Sequence, residues 1–190
     1  MNARIKRSVI RSLGLVAIFA LTIPQEARPQ LNSNSSSVLL TATLLESLTV
    51  AALPAAVNFN LAPGGEAAGS TPVTITTTWI LGPARTTVNL YASFSSSTVA
   101  LTDVSADHIP SSAVFGQVTT GLPVAFTAFT QTGPFGAAGA SLKLFSQGIG
   151  LANLTSLRTD TLNLKIDLIN GPSIPAGVYA GTLNIQAQAL

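Results

Sequence analysis

"TLNLKIDL", residues 161–168, decides how the rest of the chain is read. Leu162, Leu164, Ile166 and Leu168 fall on one parity, and Thr161, Asn163, Lys165 and Asp167 on the other. Successive side chains of a β-strand point to opposite faces, so this segment is a strand with one face in a core and one in water. The same beat runs through "PVTITTTWIL" (72–81), where Val73, Ile75, Thr77, Trp79 and Leu81 share a face opposite Thr74, Thr76 and Thr78. In "TTVNLYASF" (86–94), Val88, Leu90, Ala92 and Phe94 share a face and Tyr91 takes the other. These phases make Trp79 a core residue between sheets and Tyr91 an exposed aromatic contact.

Shorter strand-like segments fill the intervals: 37–50, 55–61, 97–103, 113–118, 123–130 and 141–147, each closed by Gly, Pro or Asn. "PAGVYAGTLNIQAQAL" (175–190) turns the chain into a closing strand from Tyr179 onward. About nine strands with one-face alternation and no helix predict an all-β fold, a single antiparallel β-sandwich of Ig-like type. A parallel sheet would need crossover helices, which the sequence lacks. No fixed-period repeat points to a propeller or solenoid.

Arg4, Lys6, Arg7 and Arg11 precede the apolar run "LGLVAIFALTI", which reads as a secretory signal peptide over residues 1–30 and is too short to span a bilayer. Residues 31–37 read as a flexible polar leader and 38–190 as the sandwich domain. The formal charge of +2 belongs to the signal. Beyond residue 27 stand five bases (Arg28, Arg85, Lys143, Arg158, Lys165) against six acids (Glu46, Glu66, Asp103, Asp107, Asp160, Asp167), a balance of −1. That charge offers no basic patch for nucleic acid or anionic lipid. With no cysteine, an exported chain is held by its core and ladders alone, and it has no residue for lipid attachment. The expectation is a protein released or retained by non-covalent contacts, secreted or in the cell envelope, with no membrane span in the mature chain.

Catalytic patterns are sparse. The single histidine, His108, lies in "SADHIPSS" beside Ser105 and Asp107, but sequence neighbours seldom present their side chains to one another as a triad, and no nucleophile-elbow glycines surround a serine. The loop reads as ordinary and polar. A carboxylate count alone does not make a glycosidase pair. Asp103 and Asp107 could hold a Ca²⁺ from a loop, although an Asx-turn explains them without an ion. The expectation is no enzyme, no catalytic residue, no metal and no cofactor.

The closing segment carries a resemblance. Gly177 is fourteenth from the end, and Tyr179, Leu183, Ile185, Ala187 and Ala189 follow on one parity. This resembles bacterial pilins of the chaperone–usher route and the spore coat protein U domains, which end in such a strand. A weaker similarity is to the WxL surface domains, through Trp79-Ile80-Leu81 and "AGVYAGTLNIQ". The first resemblance implies a secreted Ig-like surface subunit with Gly177, Tyr179, Leu183 and Ile185 in an assembly strand. The second implies a module binding a cell-envelope carbohydrate polymer, for which Tyr91 is the contact.

The expected function is therefore a non-catalytic, secreted structural or adhesive surface protein, a subunit of an assembly with other surface subunits or with copies of itself. The alternative is the carbohydrate-binding module. The closing strand is expected to complete its own sandwich, leaving outer edges for assembly.

Overall fold

The computed structural model describes residues 31–190, so the signal-peptide reading of residues 1–30 lies outside the described residues. The described residues belong to two units, 31–41 to the first and Ala42–Leu190 to the second. Residues 31–41 carry no regular secondary structure.

The second unit is an antiparallel β-sandwich. Its strands are β1 (Ser47–Leu53), β2 (Glu66–Ala68), β3 (Val73–Ile80), β4 (Thr87–Ser93), β5 (Leu101–Thr102), β6 (His108–Ile109), β7 (Val114–Val118), β8 (Thr127–Ala128), β9 (Ser141–Gly148), β10 (Thr155–Asp167) and β11 (Asn184–Ala189). One sheet runs β1-β3-β10-β7-β8, and the second runs β11-β4-β9. β5 and β6 form a separate short pair.

β10 organises the first sheet. Its first eight residues pair with β3, from Thr155 opposite Ile80 to Leu162 opposite Val73. Its last three, Lys165–Asp167, pair with β2, and its other edge takes β7. The parity of "TLNLKIDL" holds here, with Leu162, Leu164 and Ile166 turned into the core. From the facing sheet come Leu90, Leu142 and Leu144, all without solvent exposure. Phe94 and Phe129 meet edge to face at 5.2 Å between them. A register shift between Leu90 and Tyr91 pairs Leu90 with Phe145 and Tyr91 with Lys143, so β9 buries both Leu144 and Phe145 despite their adjacency. Trp79 is buried as its phase requires, its indole N–H donating to the Asn153 carbonyl (2.9 Å).

Several expected boundaries are corrected. There are eleven strands instead of nine, because the segments expected at 97–103 and 123–130 keep only two-residue pairs while Glu66–Ala68 and His108–Ile109 add short strands. The first strand begins at Ser47 and not at residue 37, since its partner β3 ends at Ile80, opposite Ser47. Residues 55–61 alternate as expected but make only one isolated bridge, Phe59 to Gly69. β10 starts six residues before Thr161, and the closing strand starts at Asn184 and not at Tyr179.

Candidate functional site

β1 pairs only with β3, and β11 only with β4. The two edge strands therefore stand side by side across the sandwich without a ladder between them, and the backbone groups on their facing edges have no strand partner. At one end this seam is clamped. Glu46 accepts the Gly82 N–H (2.6 Å) and an ion pair from Arg85 (2.8 Å), whose guanidinium also donates to the Ala189 carbonyl (3.3 Å). The Arg85 hydrogen bond, then the Gly82 N–H, hold the Glu46 carboxyl below its ordinary range.

At the other end the seam opens into an apolar groove of about 760 Å³. Ala52 and Pro54 begin one wall and the segment to Leu61 continues it; Gly177–Leu183 and Ile185 form the other. The floor is made by core residues including Val73, Phe94, Ile109, Val114 and Ile166. All four residues of the expected assembly strand, Gly177, Tyr179, Leu183 and Ile185, line this space. Only Ile185 belongs to a regular strand, pairing with Ala92 of β4 in its own chain.

The wall at 177–183 is held by one isolated bridge in which Thr102 and Ala180 exchange both backbone hydrogen bonds (2.9 Å each). Gly181 is pressed so closely on the Ala100 carbonyl that a Cβ there would collide with it. Tyr179 donates its hydroxyl to the Pro175 carbonyl (3.0 Å). Burial, with the nearby Asp103 and Asp107 carboxylates, pushes its pKa upward. No charged side chain lines the groove.

A second feature belongs with it. In "VLLTATLL" (38–45), Val38, Leu39, Leu40, Leu44 and Leu45 are each more than three-quarters exposed. They fall in the segment expected as the first strand (37–50), yet they precede β1 and have no ladder.

The remaining sequence candidates have local partners. Tyr91 lies on the outer face of the second sheet, half-buried, edge-on to Phe135 (6.0 Å) with the Lys143 ammonium 5.9 Å from its ring. Asp103 accepts the backbone N–H groups of Ser105 (2.9 Å) and Asp107 (2.8 Å), an Asx-turn. His108 Nδ1 stands 3.1 Å from Thr102 Oγ1. The structure thus gives Ser105 and His108 separate partners instead of joining them with Asp107. Glu66 and Asp167 both bind Lys165, at 2.8 and 3.3 Å. No group of three or more His, Cys, Asp or Glu comes together among the described residues, and none of their helices is long and apolar enough to cross a membrane.

One polar cluster escaped the sequence reading. Asp160 is fully buried on the parity of Leu162, where it accepts two hydrogen bonds from Arg158 (2.9 Å each) and one from Thr120 Oγ1 (2.9 Å). Arg158 lies over the Phe145 ring at 4.5 Å and donates to the Thr120 carbonyl (2.7 Å). Both carboxylate oxygens are occupied by donors, which fits a structural cap better than proton transfer. The available signal was Arg158 and Asp160 on the parity of the leucines that follow.

No family model, curated protein or solved structure matches the chain.

Proposed function

We propose that this protein is a non-catalytic structural subunit of a secreted surface assembly, and that its groove accepts the segment Val38–Leu45 of a neighbouring copy as an added strand. One observation carries the reading: the chain has an apolar groove where the seam between two unpaired edge strands opens and, elsewhere, an exposed apolar segment without a partner. Val38, Leu40, Ala42 and Leu44 share one parity, so an extended segment of about 26 Å would turn them together toward the groove floor. Its backbone would lie between the walls 54–61 and 177–183, entering beside Ala52 of β1 and Ile185 of β11, much as peptides add to open sheets. Covering each large side chain contributes about 1.5–3 kcal/mol.

Reach favours a neighbour's groove over the chain's own. Glu46 fixes the start of the fold at the clamped end of the seam, and β1 runs seven residues, about 23 Å, before the groove opens. A leader folding back would use its leucines in the turn and along β1, bringing the polar residues near Asn32 and Asn34 to the groove. Exit and groove at opposite ends of β1 make a heterologous contact, which repeats from subunit to subunit instead of closing on a two-fold axis.

Complementation tests this. A Leu40→Asp, Leu44→Asp variant keeps its groove but loses its donor; a Leu183→Arg variant keeps its donor and blocks the groove. Each alone should remain monomeric by analytical ultracentrifugation, and their mixture should form one-to-one dimers that stop growing. Normal assembly by the leader variant would defeat the proposal.

A further inference from the structure

We infer that copies of the chain share a second, end-to-end interface, in which Pro83 and Leu151 of the subunit giving the donor segment pack on Val104, Ile169 and Val178 of the subunit receiving it. This rests on the reading of the groove as a strand acceptor. It follows from how little chain separates donor from body. Only Glu46 stands between Leu45, at the end of the donor, and Ser47, the first residue of β1. Glu46 is itself fastened to its own body by the Gly82 N–H (2.6 Å) and by Arg85 (2.8 Å). Two steps of extended chain cover about 7 Å, so a seated donor draws the end of its own subunit against the acceptor.

The clamp decides which end of the acceptor is met. The seam is tied where Arg85 joins Glu46 to the Ala189 carbonyl, so the seated segment leaves at the other end, past Leu61 and Gly177. β10 spans the distance between the two ends: Thr155, opposite Ile80, lies at the clamped one and Asp167, opposite Glu66, at the groove one, about 40 Å away.

Each end presents apolar side chains at turn tips. At the clamped end, Leu81 N–H donates to the Leu154 carbonyl (2.8 Å) and Ile149 N–H to the Thr86 carbonyl (2.8 Å), which sets the turn between them beside Glu46 with Leu151 85% exposed. Pro83 is exposed in the neighbouring turn, closed by Arg85 N–H on the Gly82 carbonyl (3.1 Å). At the groove end, Asp103 N–H donates to the Asp107 carbonyl (3.1 Å) and closes a hairpin tip on which Val104 is fully exposed. That tip lies against Gly177, where a Cβ would stand 3.2 Å from Asp103 Oδ2, and Val178 beside it is 87% exposed. Leu168 N–H bonds the Gly65 carbonyl (2.9 Å), which brings the exposed Ile169 to the same end. None of the five side chains is charged, so bringing the ends together covers apolar surface without stranding an ion. The two patches differ, and the contact repeats in the same head-to-tail sense as the donor segment.

The chain has no cysteine, so single cysteines report which surfaces become covered. Val104→Cys, Leu151→Cys and Ile169→Cys, each in the exported chain, are labelled with a maleimide in assemblies and again in the monomeric Leu40→Asp, Leu44→Asp background. All three should lose most of their labelling on assembly. Val124→Cys should keep its rate, since Val124 is exposed away from both ends, its carbonyl accepting from Gln117 opposite Asn163 of β10. Equal labelling of the three end positions in assembly and monomer overturns the end contact and leaves the groove reading standing. Failure of wild type to assemble overturns the groove reading itself, and the end contact with it. Leu151→Asp gives a reading independent of the cysteines: donor and groove are intact, so it should still assemble, and its assemblies should come apart at lower urea than those of wild type. An unchanged midpoint overturns the proposal.

Discussion

Asp160 and Thr77 are both buried polar residues among apolar neighbours, and substitution should move stability in opposite directions. Every oxygen of Asp160 is matched, so Asp160→Ala leaves the Arg158 guanidinium, one-quarter exposed, without its partner and should cost about 3 kcal/mol. Replacing both members together, Arg158→Met with Asp160→Leu, should recover most of that loss, since apolar side chains of similar size need no partner. Thr77 Oγ1 is buried with no hydrogen bond, so Thr77→Val keeps the shape, removes an unmatched hydroxyl and should gain about 1 kcal/mol. Urea titrations at neutral pH measure all three. At Glu46 the lowered pKa sets a pH dependence. Its contribution is complete above the unfolded carboxylate value of about 4.3 and disappears as pH falls through the lower folded value. Thermal melts at falling pH should show a shallower acid slope for Glu46→Gln than for wild type.

Among the elements, β10 contains its own control. Leu162 has no solvent exposure, and Leu162→Ala should cost about 2–5 kcal/mol. Leu157 in the same strand is 62% exposed on the outer face, and Leu157→Ala should stay within about 0.5 kcal/mol by the same denaturation measurement. Equal losses would contradict the parity of the strand. That parity was legible in the sequence, as were β3 and β4, because one face of each is committed to the core; β9 was legible only as a strand segment, since its bulge buries residues of both parities. Residues 55–61 alternate just as clearly, and 38–45 is as apolar, yet neither is a strand of a ladder. Alternation reports that a segment can cover an apolar surface; whether a partner edge lies alongside depends on where distant strands end. β3 stops at Ile80, so the chain before Ser47 has nothing to pair with. The groove was legible only through the residues of one wall, since its other wall comes from a segment more than a hundred positions away and its floor from strands scattered between them. Asp160 was missed because the leucine pattern was followed backward only as far as Thr161.

For the whole molecule, β11 supplies the test of self-completion. Its ladder with β4 runs from Asn184 opposite Ser93 to Ala189 opposite Val88. Deleting residues 184–190 would uncover Val88 and Leu90 on one edge and remove the acceptors of Arg85 and Thr86. The truncated chain should lose its cooperative thermal transition even at high dilution. A folded, monomeric truncation would show that β11 is dispensable to its own sandwich.

The position of the Glu46 clamp also decides how the protein carries a mechanical load. Tension applied to the leader enters at Ser47 and runs along the axis of β1, against a seven-residue register with β3. Pulled lengthwise, that ladder is loaded in shear, and its hydrogen bonds must give way together instead of opening one after another. The force then passes from β3 into the thirteen-residue β10, which spreads it over β2 and β7 as well. The edge left open to a sideways approach is therefore strong along its length, as the proposed assembly of subunits would require.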